Sequence, residues 1–337
     1  MTYNDLDKII GHLAGTTGKI VITSHKNPDG DAIGSSLALY EYLKLKGKNV
    51  SVIIPNAFPA FLNWLTNSAE IIIYQDDAKK AQKLIDEAET LFSLDYNALH
   101  RTGDMKTVLE LFKGSKILID HHVDPDTNFE FMYSTIETSS TSELIYDLIA
   151  QSGDTGLINM QVAEALYVGI MTDTGSFSYS CNRPKTYHIT GALIESGING
   201  ERIHSLVYDT FSEDRLNLLG FCLSERLVVR ADLGIAYIYL YKKDLNKFNH
   251  QVGDTEGIVN YALSIDKVNV AALLTERDKL IRISFRSKSD FSVNEFARKY
   301  FEGGGHQKAA GGNSYESLDN TIERMVKLFE NHKDEIL

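Results

Sequence analysis

The sequence predicts an α/β fold: an N-terminal parallel-sheet domain with helices on both faces, joined by a helical connector to a smaller α+β domain. Three observations predict it. Apolar runs alternate with helical patterns through residues 19–197, which is typical of parallel strands buried on both faces. Two pairs of strand-like runs separated by short turns follow residue 226. One amphipathic helical stretch, 212–225, lies between these regions.

The N-terminal domain is predicted to cover residues 1–197. Each predicted strand is an apolar run that stops at a turn or polar residue, as NVSVII stops at Pro55. Predicted helices have capping residues, as in the stretch from Ser139 to Gly153. Residues 162–175 are predicted as the end of a helix and a segment that stops at Asp173. The predicted strands are 19–25, 49–55, 70–75, 90–95 and 115–122, and the predicted helices are 34–47, 76–89, 139–153 and 183–197.

Residues 198–225 are predicted to form the connector and residues 226–337 the second domain. A hairpin is predicted over 226–244, with its turn at Asp232-Leu233-Gly234, and a second over 269–287. Helices are predicted at 291–301 and from Ser317 onward. The second sheet is therefore expected to be mostly antiparallel.

Composition excludes several classes of protein. The chain has 337 residues and a net charge of 34 − 46 = −12, with 43% hydrophobic residues, which rules out intrinsic disorder. The sequence pI near 5.3 argues against a broad surface for duplex DNA, although a bound cation can reverse the charge of a local site. Two isolated cysteines and no signal-peptide pattern at the N-terminus predict a cytoplasmic protein. No apolar stretch is long enough to suggest a membrane partner.

Acidic and histidine side chains follow four separate apolar runs. Ligands bind at the carboxyl ends of parallel strands, so these groups are expected to converge there. Carboxylates placed directly after buried segments are costly unless a cation compensates them. The residues are His25, Asp29, Asp31, Asp95, Asp120, His121, His122 and Asp173.

The charges in this set predict two divalent ions. Four carboxylates, those of Asp29, Asp31, Asp95 and Asp173, would balance two doubly charged ions. Mixed oxygen and nitrogen ligands fit Mn²⁺, and also Mg²⁺, Fe²⁺ or Co²⁺, whereas the absence of thiolates in the set argues against structural zinc. Two such ions about 3.5–4 Å apart activate a hydroxide for attack on phosphorus.

These motifs resemble the DHH phosphoesterase superfamily. HKNPDGDAIGS, Asp95, the triplet Asp120-His121-His122 and Asp173-Thr174-Gly175 are similar to its four motifs, and GGGHQKAAGG at 303–312 is similar to the associated DHHA1 domain. The resemblance spans nearly the whole chain. Within the superfamily, the chain is most similar to the nano-RNase branch. That resemblance implies hydrolysis of single-stranded oligoribonucleotides two to five nucleotides long, and removal of the 3′-phosphate of 3′-phosphoadenosine 5′-phosphate (pAp).

The resemblance also implies roles for individual residues. His25 and Asp29 would hold one Mn²⁺, and a second set would hold the other, with Asp95 bridging the two ions. Asp120 would orient a histidine, and His122 would face the substrate phosphate as a proton donor or charge stabiliser. The second set consists of Asp31, His121 and Asp173.

Substrate contacts are implied in both domains. In the first, Asn97 and Arg101 resemble a phosphate-contacting region, although Tyr96 stands where relatives often have a small residue. In the second, Arg286-Ser287 follows a predicted strand, and the glycine run permits close approach of backbone N–H groups to an anion. The residues implied there are Arg286, Ser287, Gly304, Gly305, His306 and Lys308. A substrate spanning a cleft between the domains would have to be short.

Alternative functions remain open at this point. They are a cyclic di-AMP or linear dinucleotide phosphodiesterase and an exopolyphosphatase. Inorganic pyrophosphatase is disfavoured because its relatives have a different C-terminal domain, and a single-strand DNA exonuclease because it usually has extra binding domains. A nucleotide-binding regulator is disfavoured because every expected metal ligand is present. The chain is also a possible homodimer.

Overall fold

The computed structural model describes residues 2–337 and divides the chain into two compact units. The first unit extends to Thr210 and the second covers Phe211–Leu337. Helices occupy much of the stretch predicted as the connector, at Gly200–Tyr208 and Glu213–Phe221. The predicted boundaries at residues 197 and 225 stay predictions. No helix within residues 2–337 is long and apolar enough to cross a membrane.

The first unit contains a seven-stranded sheet. Its spatial order is β1-β7-β6-β5-β2-β3-β4, and all neighbours are parallel except the antiparallel pair of β1 and β7. The strands are β1 Tyr3–Asn4, β2 Lys19–Thr23, β3 Asn49–Ile54, β4 Ile72–Ile73, β5 Ala88–Leu94, β6 Ser115–Asp120 and β7 Phe131–Ser134. The helices are α1 Leu6–Gly15, α2 Gly30–Leu45, α3 Ala78–Asp86, α4 Lys106–Leu111, α5 Thr141–Gln151, α6 Met160–Asp173, α7 Pro184–Glu195 and α8 Gly200–Tyr208.

Both faces of this sheet are buried. In β2, Ile20 and Ile22 belong to one hydrophobic cluster, while Val21 belongs to another on the opposite face. Successive side chains of a strand point to opposite faces, so an uninterrupted apolar run is what such a strand requires. The predicted parallel sheet with helices on both faces is confirmed.

Several features of the first unit differ from the prediction, which named neither helix α1 nor helix α4. Strands β1 and β7 were not predicted, because each is very short and is defined by its pairing with another strand. The apolar run before Asp173 belongs to a single helix, α6, which continues to Asp173 itself. This helix is buried on most of its surface because it crosses α2 closely: a Cβ added to Gly34 would lie 2.5 Å from the Ala165 carbonyl oxygen.

The second unit contains a six-stranded sheet in the order β12-β13-β11-β10-β9-β8. Both predicted hairpins are present, and all pairs are antiparallel except the parallel pair of β9 and β10. The strands are β8 Leu227–Arg230, β9 Ile235–Leu240, β10 Val270–Glu276, β11 Ile281–Ser287, β12 Gly304–His306 and β13 Ala309–Ser314. The helices are α9 Glu213–Phe221, α10 Lys242–Lys247, α11 Ile258–Leu263, α12 Val293–Tyr300, α13 Leu318–Asn331 and α14 Lys333–Ile336.

The glycine-rich segment 303–312 forms a β-hairpin of β12 and β13 at the edge of this sheet. Gly305 has φ +144°, and a Cβ there would lie 2.5 Å from the Ala309 carbonyl oxygen. Only glycine meets both conditions, so the glycines serve to bring two backbones together.

Candidate functional site

The predicted site residues of the first unit lie at the carboxyl ends of three adjacent strands. His25 comes two residues after β2, Asp95 directly follows β5, and Asp120 is the last residue of β6. The order β6-β5-β2 places these strands side by side and parallel. Their carboxyl ends therefore bring the three motifs to one edge, as the sequence predicted.

Two helix ends complete the cluster. Asp29 is the N-cap of α2, where its Oδ1 accepts hydrogen bonds from the backbone N–H groups of Asp31 and Ala32 at 3.0 and 3.1 Å. Asp31 lies in the first turn of α2 and is fully buried. Asp173 is the last residue of α6, and the close crossing of α6 with α2 brings it near Asp31.

Asp95 lies between two groups of potential ligands. Its Oδ2 is 3.4 Å from His25 Nε2, which is also 3.9 Å from Asp29 Oδ1. Its Oδ1 is 3.3 Å from His121 Nε2. That same nitrogen is 3.1 Å from Asp173 Oδ2 and 3.8 Å from Asp31 Oδ2. One carboxylate thus presents one oxygen to each group.

The backbone of Asp95 is in an unusual conformation. Its φ is +62°, in the left-handed region that non-glycine residues seldom adopt, and its side chain is almost completely buried. Such strain persists only where the surrounding structure enforces it, and it is concentrated at functional sites.

The charges in this cluster perturb one another strongly. Burial raises the pKa of Asp31, and the carboxylates of Asp95 and Asp173 raise it further, to well above its usual range. Burial lowers the pKa of His121, but the Asp173 and Asp95 carboxylates outweigh burial and hold that pKa well above its usual range. Burial also opposes the charge of Asp95, but hydrogen bonds from His121 and His25 hold its pKa well below the ordinary value.

The donor set fits divalent cations. His25, Asp29 and Asp95 can place one ligand atom each within 4.8 Å of the others, and so can Asp31, His121 and Asp173. Four carboxylates face only two histidines in these groups, and a bound cation would relieve that imbalance. Oxygen and nitrogen ligands without sulfur suit Mn²⁺ or Mg²⁺ better than structural zinc.

The ring of His25 is oriented for this role. Its Nδ1 lies 3.0 Å from the Lys26 carbonyl oxygen, which can only accept, so Nδ1 carries the proton and Nε2 faces the carboxylates. Burial and the nearby charge of Arg101 oppose protonation of His25, but the Asp95 hydrogen bond and the charge of Asp29 outweigh them and raise its pKa. The backbone carbonyl oxygen of Arg101 accepts a hydrogen bond from the Lys26 backbone N–H at 2.8 Å, so Arg101 lies next to the His25 segment.

His122 is bound to Asp120. Its Nδ1 donates to Asp120 Oδ1 at 2.7 Å, and its backbone N–H donates to Asp120 Oδ2 at 3.0 Å. A charged carboxylate only accepts, so the ring would exchange a proton with a ligand at Nε2. Asp120 is fully buried and orients the histidine that follows it by two residues.

Asn97, which the resemblance assigns to a phosphate contact, uses its amide nitrogen within the protein. Its Nδ2 donates to the carbonyl oxygens of Val123 and Asp124 at 2.7 and 3.2 Å. These bonds fix the loop that follows the histidines, and the remaining amide oxygen is an acceptor, which does not bind a phosphate anion. Asn97 thus holds the loop that follows the histidines.

Tyr96 does not enter the cluster. Its ring is fully buried in the apolar cluster on the other face of the sheet. Its hydroxyl donates to Ser93 Oγ at 2.7 Å and lies 2.9 Å from Thr23 Oγ1. Burial raises the pKa of Tyr96 to about 12. The departure from a small residue next to Asp95 is accommodated in the core.

In the second unit, one face of the sheet carries three of the six predicted substrate contacts. Arg286 pairs with Ala309, which pairs in turn with His306, so these residues share a face. Gly304 pairs with Gly311 on that face and adds no side chain. Small residues thus lie between an arginine and a histidine on this face, which we call the basic face.

The other three residues predicted to contact substrate lie outside this face. Ser287 is buried and its Oγ lies 3.2 Å from the Ser289 carbonyl oxygen, so its hydroxyl supports a turn. The carbonyl oxygen of Gly305 accepts a hydrogen bond from Asn294. Lys308 is exposed in the hairpin turn.

Sequence reasoning missed two sets of residues. Thr141 and Ser142, read only as the start of a helix, contact Asp31 and Asp95. Arg282 and Ser284 share the basic face with Arg286, since they alternate with buried residues along β11. The alternation R-I-S-F-R was a usable signal for that second set.

Comparison with known proteins agrees with this geometry. Residues 19–170 match the family model "DHH family, N-terminal domain", and residues 233–332 match the "DHHA1 domain" model. The chain is 31% identical to the probable bifunctional oligoribonuclease and PAP phosphatase NrnA of Streptococcus mutans, over 89% of this chain and 91% of that protein. It is 28% identical to the bifunctional oligoribonuclease and PAP phosphatase NrnA of Bacillus subtilis, over 93% and 96% of the two chains.

A solved structure shows the same fold over the full length. It is an exopolyphosphatase-related protein from Bacteroides fragilis, 41% identical, with a TM-score of 0.92 and coverage of 98% of this chain and 97% of that chain. The ordered motifs, the geometry of the cluster and these matches agree that the chain belongs to the DHH family of phosphoesterases, with a DHHA1 domain after its DHH domain.

Proposed function

We propose that this enzyme hydrolyses phosphoester bonds of short oligoribonucleotides and of pAp at a centre of two divalent metal ions. One observation carries the proposal: Asp95 turns one carboxylate oxygen to the His25 group and the other to the His121 group. A carboxylate in that position can bridge two ions. The names of the curated relatives supply the substrate class.

The ligands divide into two sets around Asp95. His25 and Asp29 would hold one ion, and Asp31, His121 and Asp173 the other, which leaves the total charge of carboxylates and ions balanced. Two divalent ions bound there would activate a water molecule and stabilise charge on the phosphoryl group. We propose Mn²⁺ as the resident ion because the ligands mix imidazole nitrogen with carboxylate oxygen.

His122 and Arg101 are the groups of the chain proposed to act on the substrate. Asp120 holds His122 by two hydrogen bonds, so that Nε2 can donate a proton to the departing oxygen or stabilise its charge. The Arg101 guanidinium, near His25, supplies a positive charge for a phosphate oxygen.

The basic face of the second unit is proposed to bind a substrate phosphate. Arg286 and His306 supply donors, and Gly304 and Gly311 leave room for the ligand to approach the backbone. A compact surface of this kind suits one terminal phosphate and not a long strand, which needs an extended basic groove.

Polyphosphate is the second candidate substrate. The observation in its favour is the name of the 41% identical Bacteroides fragilis structure. Polyphosphate offers phosphates and no nucleoside, so comparing it with pAp at equal concentration separates the two functions.

The test is an activity panel with Mn²⁺ on pAp, dinucleotides, 5-mers, a 24-mer, cyclic di-AMP and polyphosphate. We expect pAp and the short oligonucleotides to react fastest. Asp95→Ala should abolish activity and Mn²⁺ binding, while Asp76→Ala, an exposed carboxylate of the same unit, should change neither. Full activity in excess chelator, or a 24-mer cleaved as fast as a dinucleotide, would contradict the proposal.

A further inference from the structure

The first two residues of α5 donate hydrogen bonds to the carboxylates of Asp31 and Asp95. The backbone N–H of Thr141 donates to Asp31 Oδ2 at 2.6 Å, and the backbone N–H of Ser142 donates to Asp31 Oδ1 at 2.9 Å. The Ser142 hydroxyl donates to the same Oδ1 at 2.6 Å. The Thr141 hydroxyl donates to Asp95 Oδ1 at 3.2 Å. Two successive residues therefore contact both Asp31, in the His121 group, and Asp95, which lies between the two groups.

A buried network fixes this turn. Glu143 is fully buried, and its carboxylate accepts hydrogen bonds from the hydroxyls of Thr138 and Ser139 at 2.6 and 2.8 Å. Ser140 is the N-cap of α5 and accepts from the Glu143 backbone N–H at 3.2 Å. The turn is thus held by the hydrogen bonds of Glu143 and Ser140, independently of the carboxylates of Asp31 and Asp95.

Helix α6 closes the space around Ser142. A Cβ added to Gly169 would lie 1.9 Å from Ser142 Oγ and 2.6 Å from Asp31 Oδ1. The hydroxyl is therefore confined between the α6 backbone and the carboxylate. Its hydrogen bond to Asp31 is fixed by packing as well as by its own geometry.

We propose that Thr141 and Ser142 are positioning residues that set the affinity of the two-ion centre by fixing the carboxylates of Asp95 and Asp31. This inference rests on the proposed function, since it assigns the two carboxylates to bound ions. Asp95 Oδ1 has two directions for contact, and the Thr141 hydroxyl occupies one of them. The carboxylate cannot then turn about its own bond, and Oδ2 stays directed at the His25 group.

Thr141 and Ser142 should contribute unequally to the affinity for Mn²⁺. Thr141→Val removes the one hydroxyl that holds Asp95 and keeps the shape of the side chain. Ser142→Ala leaves Asp31 with its two backbone donors. Loss of a group that orients a metal ligand typically lowers metal affinity or activity 10- to 100-fold. The larger loss is expected for Thr141→Val and a loss of less than 10-fold for Ser142→Ala.

The experiment measures Mn²⁺ binding to the metal-free protein by electron paramagnetic resonance of the free ion, together with kcat and KM for a dinucleotide. We expect Thr141→Val to weaken one of the two ions 10- to 100-fold and to reduce the exchange-coupled signal of the ion pair. At saturating Mn²⁺, kcat should recover with KM unchanged. Thr141→Ser, which keeps the hydroxyl, should restore binding, and Thr155→Val, an exposed threonine beyond the other end of α5, should bind as the parent does.

Two outcomes separate this inference from the proposed function. If Asp95→Ala loses ion binding and Thr141→Val retains it in full, Thr141 is structural only and the inference is wrong. If Asp95→Ala itself retains both ions, the two-ion centre is misplaced and the proposed function fails with it. Loss of binding in Thr141→Ser to the same degree as in Thr141→Val would also overturn the inference, since the hydroxyl would not be the cause.

Discussion

The tight packing of α6 against the α5 turn makes Gly169 a sensitive position. In Gly169→Ala the new Cβ would meet Ser142 Oγ at 1.9 Å, whereas real Cβ contacts essentially never fall below 3.0 Å. The Ser142 hydroxyl must therefore move by about 1 Å or more, a displacement that breaks its hydrogen bond to Asp31. The new Cβ would also lie 2.6 Å from Asp31 Oδ1, so the substitution disturbs this carboxylate both directly and through Ser142.

The expected effect combines two opposing free energies. Replacing glycine by alanine inside a helix stabilises it by about 1 kcal/mol. Losing a hydrogen bond to a buried carboxyl oxygen costs about 1–3 kcal/mol, and crowding adds to that cost. We expect a net loss of about 1–3 kcal/mol in the free energy of unfolding, and a 10- to 100-fold loss in Mn²⁺ affinity.

The assay is urea unfolding of the metal-free protein, followed by the fluorescence of Trp64. This is the one tryptophan of the chain and lies in the first unit, so it reports the unfolding of that unit. The control is Gly191→Ala in α7, where a Cβ meets nothing within 4 Å and should stabilise by about 0.5–1 kcal/mol. If Gly169→Ala were as stable as this control and bound both ions normally, the packing argument would be refuted.

Three further predictions concern other parts of the molecule. His122→Ala should retain both ions and lose turnover about 10²–10⁴-fold, whereas a fall in metal content like that of His121→Ala would exchange the two assignments. Arg286→Ala should mainly raise KM for pAp and spare the hydrolysis of bis-p-nitrophenyl phosphate; equal loss on both would place it at the reacting centre. Burial raises the pKa of Cys222 to about 12, so its thiol should resist Ellman's reagent at pH 8 in the folded protein. Because the unfolded thiol ionises first, stability should fall above about pH 9, and less steeply in Cys222→Ala.

The positions of the strand ends could be read from the sequence because the signals are local. An apolar run followed at once by Asp95, or by the triplet at 120–122, specifies both a buried strand and the polar group at its end. Parallel neighbours then place these ends at one edge without further information. The two hairpins of the second unit were predictable for the same reason, since each turn lies within its own segment.

The contacts made across long sequence distances could not be read in this way. Strands β1 and β7 are only two and four residues long and exist through pairing over about 130 residues. Asn97 and Ser287 have residue types suited to phosphate, yet the Asn97 amide nitrogen is used by a loop and the Ser287 hydroxyl by a turn. Propensity and spacing describe what a segment can form and do not describe which partner it finds.

By itself, the sequence determined the fold class, the residues of the candidate centre and the strand ends that carry them, because each of these depends on neighbouring residues in the chain. Only the tertiary structure decided that Asp95 turns one oxygen to each group of ligands. It also decided that Thr141 donates to Asp95, 46 residues away, and that Ser142 donates to Asp31, 111 residues away. The contact of Ser142 with Asp31 depends on the close crossing of α2 and α6, where Gly34 and Gly169 let backbones approach to a distance that side chains would forbid. Packing between distant segments fixes such distances, and it is settled only when the whole unit has folded.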